Sequence, residues 1–100
     1  MDKYQVKLYP RAFRDIESIY EYIAIEKRSP QNAKGQTDRI KIAIKSLDTL
    51  PQSHQERLEG RFANEGYRQL IIDNYIAIFR IDEQEKTVYV ITVQYHGRNI

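Results

Sequence analysis

Tyr4, Val6 and Leu8 alternate with Gln5 and Lys7, a period of two that predicts a short half-buried strand stopped by Pro10. From Arg11 to Glu26 the apolar positions change step: Phe13, Ile16, Ile19, Tyr20 and Ile23 recur every three or four residues, lining one face of a helix. Pro10 suits the first turn of that helix, although Tyr9 stands where a capping Ser, Thr, Asp or Asn would be expected. Ser29-Pro30 then pairs a capping hydroxyl with proline at a first helical position and predicts a second helix. Its stripe runs Ala33, Thr37, Ile40, Ala43/Ile44, Leu47 and Leu50, and Pro51 ends it, because the residue before proline is pushed out of the helical region. A connection of only about three residues favours antiparallel packing of the two helices. Gly35 interrupts the second helix, either to let the first approach closely or as a tolerated weakness costing about 1 kcal/mol against alanine.

Residues 51–66 are polar, hold two glycines and a proline, and keep no period, so they read as a loop long enough to suggest partner contact or local disorder. Three strand patterns follow: Tyr67 to Ile72, Tyr75 to Asp82 and Thr87 to Tyr95. Asp73-Asn74 and Glu83 to Lys86 supply the turns of an antiparallel meander. In the last strand, alternation puts Tyr89, Ile91, Val93 and Tyr95 on one face and Val88, Val90, Thr92, Gln94 and His96 on the other. With helices grouped and strands grouped, the expected fold is α+β, one domain over residues 1–100: an N-terminal strand, then an antiparallel helical hairpin packed on an antiparallel sheet whose last three strands form the meander. The place of the first strand in that sheet is left open.

Composition narrows the function. One hundred residues suit a single core. Apolar runs are far shorter than the roughly 20 residues of a membrane span, and residues 1–10 carry charges where a secretory signal needs an apolar stretch, so an intracellular, cytoplasmic protein is expected. Without cysteine, disulfides, thiolate nucleophiles and cysteine-ligated zinc are excluded, and two histidines, His54 and His96, leave little for another metal site. No metal or cofactor is expected, and no phosphate-binding glycine loop or nucleophile elbow occurs. The net charge of +2 falls short of the basic stripe of a dedicated nucleic-acid binder.

Few residues are candidates for chemistry. His96 sits at a strand end, where an imidazole can act as general acid or base, with Tyr95, Arg68 and Arg98 to supply a proton or hold a phosphate; the plain alternative is a solvated terminal histidine. Arg68 shares a face with Leu70 and Ile72, and Arg80 with Ile76 and Ile78. Each needs a carboxylate such as Asp73, Asp82 or Glu65, a route to water, or an acidic ligand. Lys34, Lys41 and Lys45 share one side of the second helix, more in the manner of a solvated face than a binding stripe. The eight tyrosines are scattered and do not read as a base-stacking platform, and His54 has no visible partner.

Nearly the whole chain resembles the RelE/ParE superfamily of bacterial toxins from type II toxin–antitoxin systems. The residues that carry the resemblance are YQVKLYPRAFRDIESIYEYI, SPQNA, IKSLDTLP and, most specifically, GYRQLIIDNYIAIFRIDEQEKTVYVITVQYHGRNI. It implies a small toxin of a plasmid-stabilising module, held inactive by a co-expressed antitoxin whose disordered tail orders on its surface. RelE-like and YoeB-like members cleave messenger RNA on the ribosome and carry an arginine directly after the aromatic residue that opens the middle strand of the meander. Here that aromatic is Tyr75 and Ile76 follows it, while Arg68 and Leu70 stand where RelE has a lysine pair. Isoleucine cannot stabilise the charge a phosphate gains in its transition state. His96 does match a histidine near the carboxyl end of YoeB. ParE-like members poison DNA gyrase, and the long helices and the ending YHGRN resemble that branch more.

Two functions therefore stand. In the first, the toxin is not an enzyme and binds gyrase through Arg68, Arg80, His96 and Arg98. In the second it is a metal-independent mRNA endoribonuclease, with His96, Arg68, Arg98 and Tyr95 at the site. A toxin that has lost activity and serves only as an antitoxin partner is a third. Specific DNA binding by this chain alone is not expected.

Overall fold

The computed structural model describes residues 3–96. Strand β1 (Gln5–Leu8) leads into helix α1 (Pro10–Glu21), a π-helical turn (Tyr22–Glu26) and helix α2 (Pro30–Lys45). Short 3-10 turns at Ser46–Asp48 and Pro51–Ser53 follow, then β2 (Arg68–Ile72), β3 (Tyr75–Asp82) and β4 (Thr87–Tyr95). The strands form one four-stranded sheet in the order β1-β4-β3-β2. β2, β3 and β4 make the expected meander, and β1 joins the far edge parallel to β4, so the sheet is mixed. A parallel pair needs a long connection, which the helical hairpin and the meander together provide.

The helices form where the sequence starts them and finish differently. Pro10 and Pro30 both open a helix, and the Ser29 hydroxyl accepts a hydrogen bond from the Asn32 amide at 3.4 Å. The α-helical part of the first helix stops at Glu21, and its last turn widens into the π form. Leu50 does not belong to the stripe of α2: it lies beyond the helix in the left-handed region (φ 48°) and is 58% exposed, because Pro51 bars it from helical geometry. Ala33, Thr37, Ile40, Ile44 and Leu47 are buried as the period requires.

The core lies between the hairpin and one face of the sheet. Ala12 and Ile16 of α1 and Ile40 and Ile44 of α2 meet Ala77 and Phe79 of β3 and Val88, Val90 and Val93 of β4. This packing corrects the simple alternation expected of β4. Ile78 pairs with Thr92 and Phe79 with Val90, which leaves Ile91 as an extra residue in a β-bulge. Val90 and Val93 consequently face the helices together, while Tyr89 and Thr92, opposite Arg80 and Ile78, lie toward the other face.

Past Val90, β4 has outrun β1, which ends at Leu8. Asp15 of α1 closes the gap: its carboxylate accepts the Val93 amide at 3.0 Å and the Thr92 hydroxyl. The 51–66 segment is also more ordered than its composition suggests. Glu56 bridges to Arg68, and the Arg57 amide donates to the Tyr67 carbonyl at 2.8 Å, adding a short fifth rung beside β2. Asp73, in the β2–β3 turn, accepts from Arg39 Nε at 2.9 Å and Gln36 Nε2 at 3.0 Å, fastening α2 to that turn. Among the described residues, no helix is long and apolar enough to cross a membrane.

Candidate functional site

The sheet separates the residues that the sequence groups together. Arg68 pairs with Phe79, so it points to the helix side, where Nη1 donates to the His54 carbonyl at 2.7 Å. Arg80 is one residue further along β3 and points to the opposite face. His96 is at the other end of the sheet, its amide donating to the Asn74 carbonyl at 2.6 Å. At about 3.4 Å per residue, five or six residues of strand place His96 roughly 17–20 Å from either arginine. Arg98 lies outside the described residues. An acid–base group must come within hydrogen-bond reach of the proton it moves, so Arg68 and His96 do not share one reacting centre in this arrangement.

Neither arginine takes the carboxylates that the sequence offers. Asp73 is held by Arg39 and Gln36, whose hydrogen bonds pull its carboxyl below the usual carboxylate range. Arg68 donates to a backbone carbonyl of the segment that packs over it, at 2.7 Å. His54, which has no partner visible in the sequence, packs edge-on against Phe79 with ring centres 6.0 Å apart; burial first, then the charge of Arg68, pushes its imidazole down toward the neutral form. Both read as parts of the packing that fixes the 51–66 segment.

Arg80 is different. Its guanidinium lies 4.3 Å from the centre of the Tyr89 ring, and Nη2 donates to the Tyr9 hydroxyl at 3.4 Å. The Tyr9 and Tyr89 rings meet edge to face at 6.0 Å, and the Tyr89 hydroxyl donates to Glu85 at 3.1 Å. The hydrogen bond to Tyr9, opposed by a smaller cost of burial, raises the arginine further above its ordinary value, so it stays charged. Lys7 pairs with Tyr89 across β1 and β4, so its exposed ammonium shares the same face. The result is a cross-strand row, Lys7, Tyr89, Arg80, with Tyr9 beside it. Only Arg80 of these four is singled out by sequence reasoning. The signal for the others is the period of two in β1, which sends Lys7 and Tyr9 to the face opposite Val6 and Leu8.

A second feature is an apolar groove between α1, α2 and β1. Val6, Leu8, Phe13, Ile16, Tyr20 and Ile44 line it, with Arg14, Glu17 and Glu21 on the α1 side and Lys41 and Lys45 on the α2 side. Phe13 is 61% exposed, so this member of the α1 stripe faces the groove and not the core. At the far end of the hairpin Tyr95, 62% exposed, meets Tyr75 edge-on at 5.6 Å, beside Tyr22 of the π-helical turn. No group of three or more metal-ligating side chains exists among the described residues.

Comparison with known proteins places this geometry. No curated protein matches the sequence. Solved structures do. The chromosomal ParDE system of P. aeruginosa is similar with a TM-score of 0.73 at 20% identity, over 93% of this chain and 96% of that one. The RelBE2 toxin–antitoxin complex of Mycobacterium tuberculosis gives 0.65 at 21% identity, over 95% and 93%. The RelE–RelB complex of Pyrococcus horikoshii gives 0.62 at 16% identity, over 96% and 98%. At such identities the likeness concerns the fold, a hairpin of helices on a four-stranded sheet. The family model for the ParE toxin of the type II toxin–antitoxin system parDE, by contrast, matches residues 6–100. A match across all the elements described above, including the β4 stretch that carries the bulge, shows that the chain belongs to the ParE toxins of type II toxin–antitoxin systems.

Proposed function

We propose that this toxin arrests bacterial growth by binding and poisoning DNA gyrase, that it is not a nuclease, and that a cognate antitoxin neutralises it. The observation that carries the reading is Ile76. It follows Tyr75 where RelE-like enzymes place an arginine, it is only 2% exposed, and among the described residues it leaves no lysine or arginine at that point of the sheet. A phosphate under attack needs fixed positive charge within reach of its developing oxyanion. Arg68, turned to the helix side three residues further along the sheet, does not replace it, and the one described candidate at the Ile76 end is His96, an imidazole and not a fixed cation.

The groove supports the antitoxin half of the reading. An apolar trough open at Phe13 and rimmed by charged side chains suits an amphipathic segment that orders on binding, a mode in which a few aliphatic anchors supply most of the affinity.

The test is induction of the chain without antitoxin under tight control, with messenger RNA ends and gyrase-trapped DNA breaks mapped within minutes. Trapped breaks, an SOS response and intact messages are expected. New RNA ends inside translated codons would instead establish the nuclease reading, with His96 and Tyr95, which stand exposed side by side, as the first residues to mutate.

A further inference from the structure

We infer that the row formed by Lys7, Tyr9, Arg80 and Tyr89 is the surface through which the toxin grips its target, and that it takes an acidic segment of a protein. This rests on the reading that the toxin acts by binding a protein, and it adds the residues and the chemistry of contact. Arg80 carries five N–H donors, of which only one finds an acceptor among the described residues, the Tyr9 hydroxyl at 3.4 Å. Among the described residues neither Arg80 nor Lys7 forms an ion pair with a carboxylate. Two carboxylates do stand near. Glu85 accepts the Tyr89 hydroxyl, and Asp82 accepts the Glu85 amide at 3.0 Å, so both are engaged in holding the β3–β4 turn and the Tyr89 ring.

The row is also pre-organised. Arg80 is stacked on Tyr89 and steadied by Tyr9 before any ligand arrives, which lowers the entropy lost on binding, and arginine and tyrosine are the residues most often found to dominate protein interfaces. A carboxylate can receive the two parallel N–H groups of the free guanidinium edge while Lys7 adds a second charge on the same face. Nucleic acid fits less well. The two tyrosine rings meet at 65° and the Tyr89 face is taken by the guanidinium, so there is no flat platform for a base, and two cations are too few to track a phosphate backbone.

The experiment compares the wild-type chain with Arg80→Ala, Arg80→Lys and, as a control on α2 on the hairpin side of the sheet, Lys34→Ala. Growth arrest after induction is measured first, then the melting temperature, the affinity for the antitoxin and capture of purified gyrase. Arg80→Ala is expected to weaken arrest and capture roughly tenfold or more while melting and antitoxin affinity stay as in wild type. Arg80→Lys is expected to restore them only in part, since an ammonium neither stacks nor forks. Wild-type arrest by a folded Arg80→Ala protein would overturn the inference. Should that variant fail to fold, Lys7→Glu on the exposed rim replaces it, and undiminished arrest there would overturn it equally. If the wild-type protein arrests growth without capturing gyrase, the gyrase reading fails, while loss of arrest in the variant still upholds this surface. Tight binding of a single-stranded RNA oligonucleotide at physiological salt, lost in Arg80→Ala, would overturn the assignment to an acidic protein segment.

Discussion

A carboxylate at Asp15 takes the place of a missing strand. Where β1 ends, the Val93 amide and the Thr92 hydroxyl at the edge of β4 lose a strand partner, and Asp15 accepts both. An unsatisfied buried donor costs about 1–3 kcal/mol. Asp15→Ala is therefore expected to lower stability by about that amount, as read from urea denaturation, whereas Glu17→Ala on the exposed side of the same helix should change it by less than about 0.5 kcal/mol. In the sequence Asp15 is one of several charges on an amphipathic helix and carries no mark of this role. The same holds for the arginines. That Arg68 and Arg80 interrupt apolar strands is visible in the chain; that one donates to the His54 carbonyl and the other lies on a tyrosine depends on which face each occupies and on what crosses it.

Helices and strands were legible because their signals are local. Proline at a first helical position, a serine cap and a three-to-four period act within a turn or two, and both helix starts follow from them. The element ends were less so. The widening of the chain into a π turn at Tyr22–Glu26 has no marker in residue type, and the bulge at Ile91 reverses the faces expected for half of β4. A bulge is a property of a pair of strands, and a single-strand pattern cannot contain it. Gly35 gives a test at this level. The sequence allows it to mark a close helix approach, but a methyl group there would meet only the end of the Arg39 side chain, at 3.6 Å. Gly35→Ala is thus expected to stabilise the protein by roughly 0.5–1 kcal/mol, a rise in melting temperature that scanning calorimetry would detect, since alanine loses less backbone freedom in a helix and displaces nothing.

For the molecule as a whole, the two surfaces proposed for antitoxin and target lie on opposite sides of one sheet. The groove with Phe13 lies on the hairpin side, and the row with Arg80 on the other. A single surface serving both antitoxin and target would couple every mutation to both; here the two should separate. Phe13→Asp puts a charge where an apolar segment is expected to dock and, because the side chain is already largely exposed, should leave the melting temperature within a degree or two of wild type. Its expected phenotype is growth arrest that the antitoxin no longer relieves, with antitoxin affinity down by at least about tenfold in a titration. Relief by antitoxin equal to that of wild type would show that the groove is not the contact.

Short-range physics lies open in the chain. The order of elements, the α+β class and the meander turns rest on periods, caps and turn residues a few positions apart, and the resemblance to RelE/ParE toxins on continuous stretches of sequence. The placement of β1 is different: no local pattern says that Gln5–Leu8 runs parallel to Thr87–Val90, because that pairing is fixed by packing between opposite ends of the chain. The candidate site shows the same division. Arg80 can be picked out as a cation among apolar neighbours, yet Lys7, Tyr9 and Tyr89 become its companions only when β1 and β4 lie side by side. His96 and Arg68, both polar groups on strands of one sheet, end far apart on it. Contact is a relation between elements, set by burial and pairing over long separations, whereas the order of residues along a chain carries only the forces that act between near neighbours.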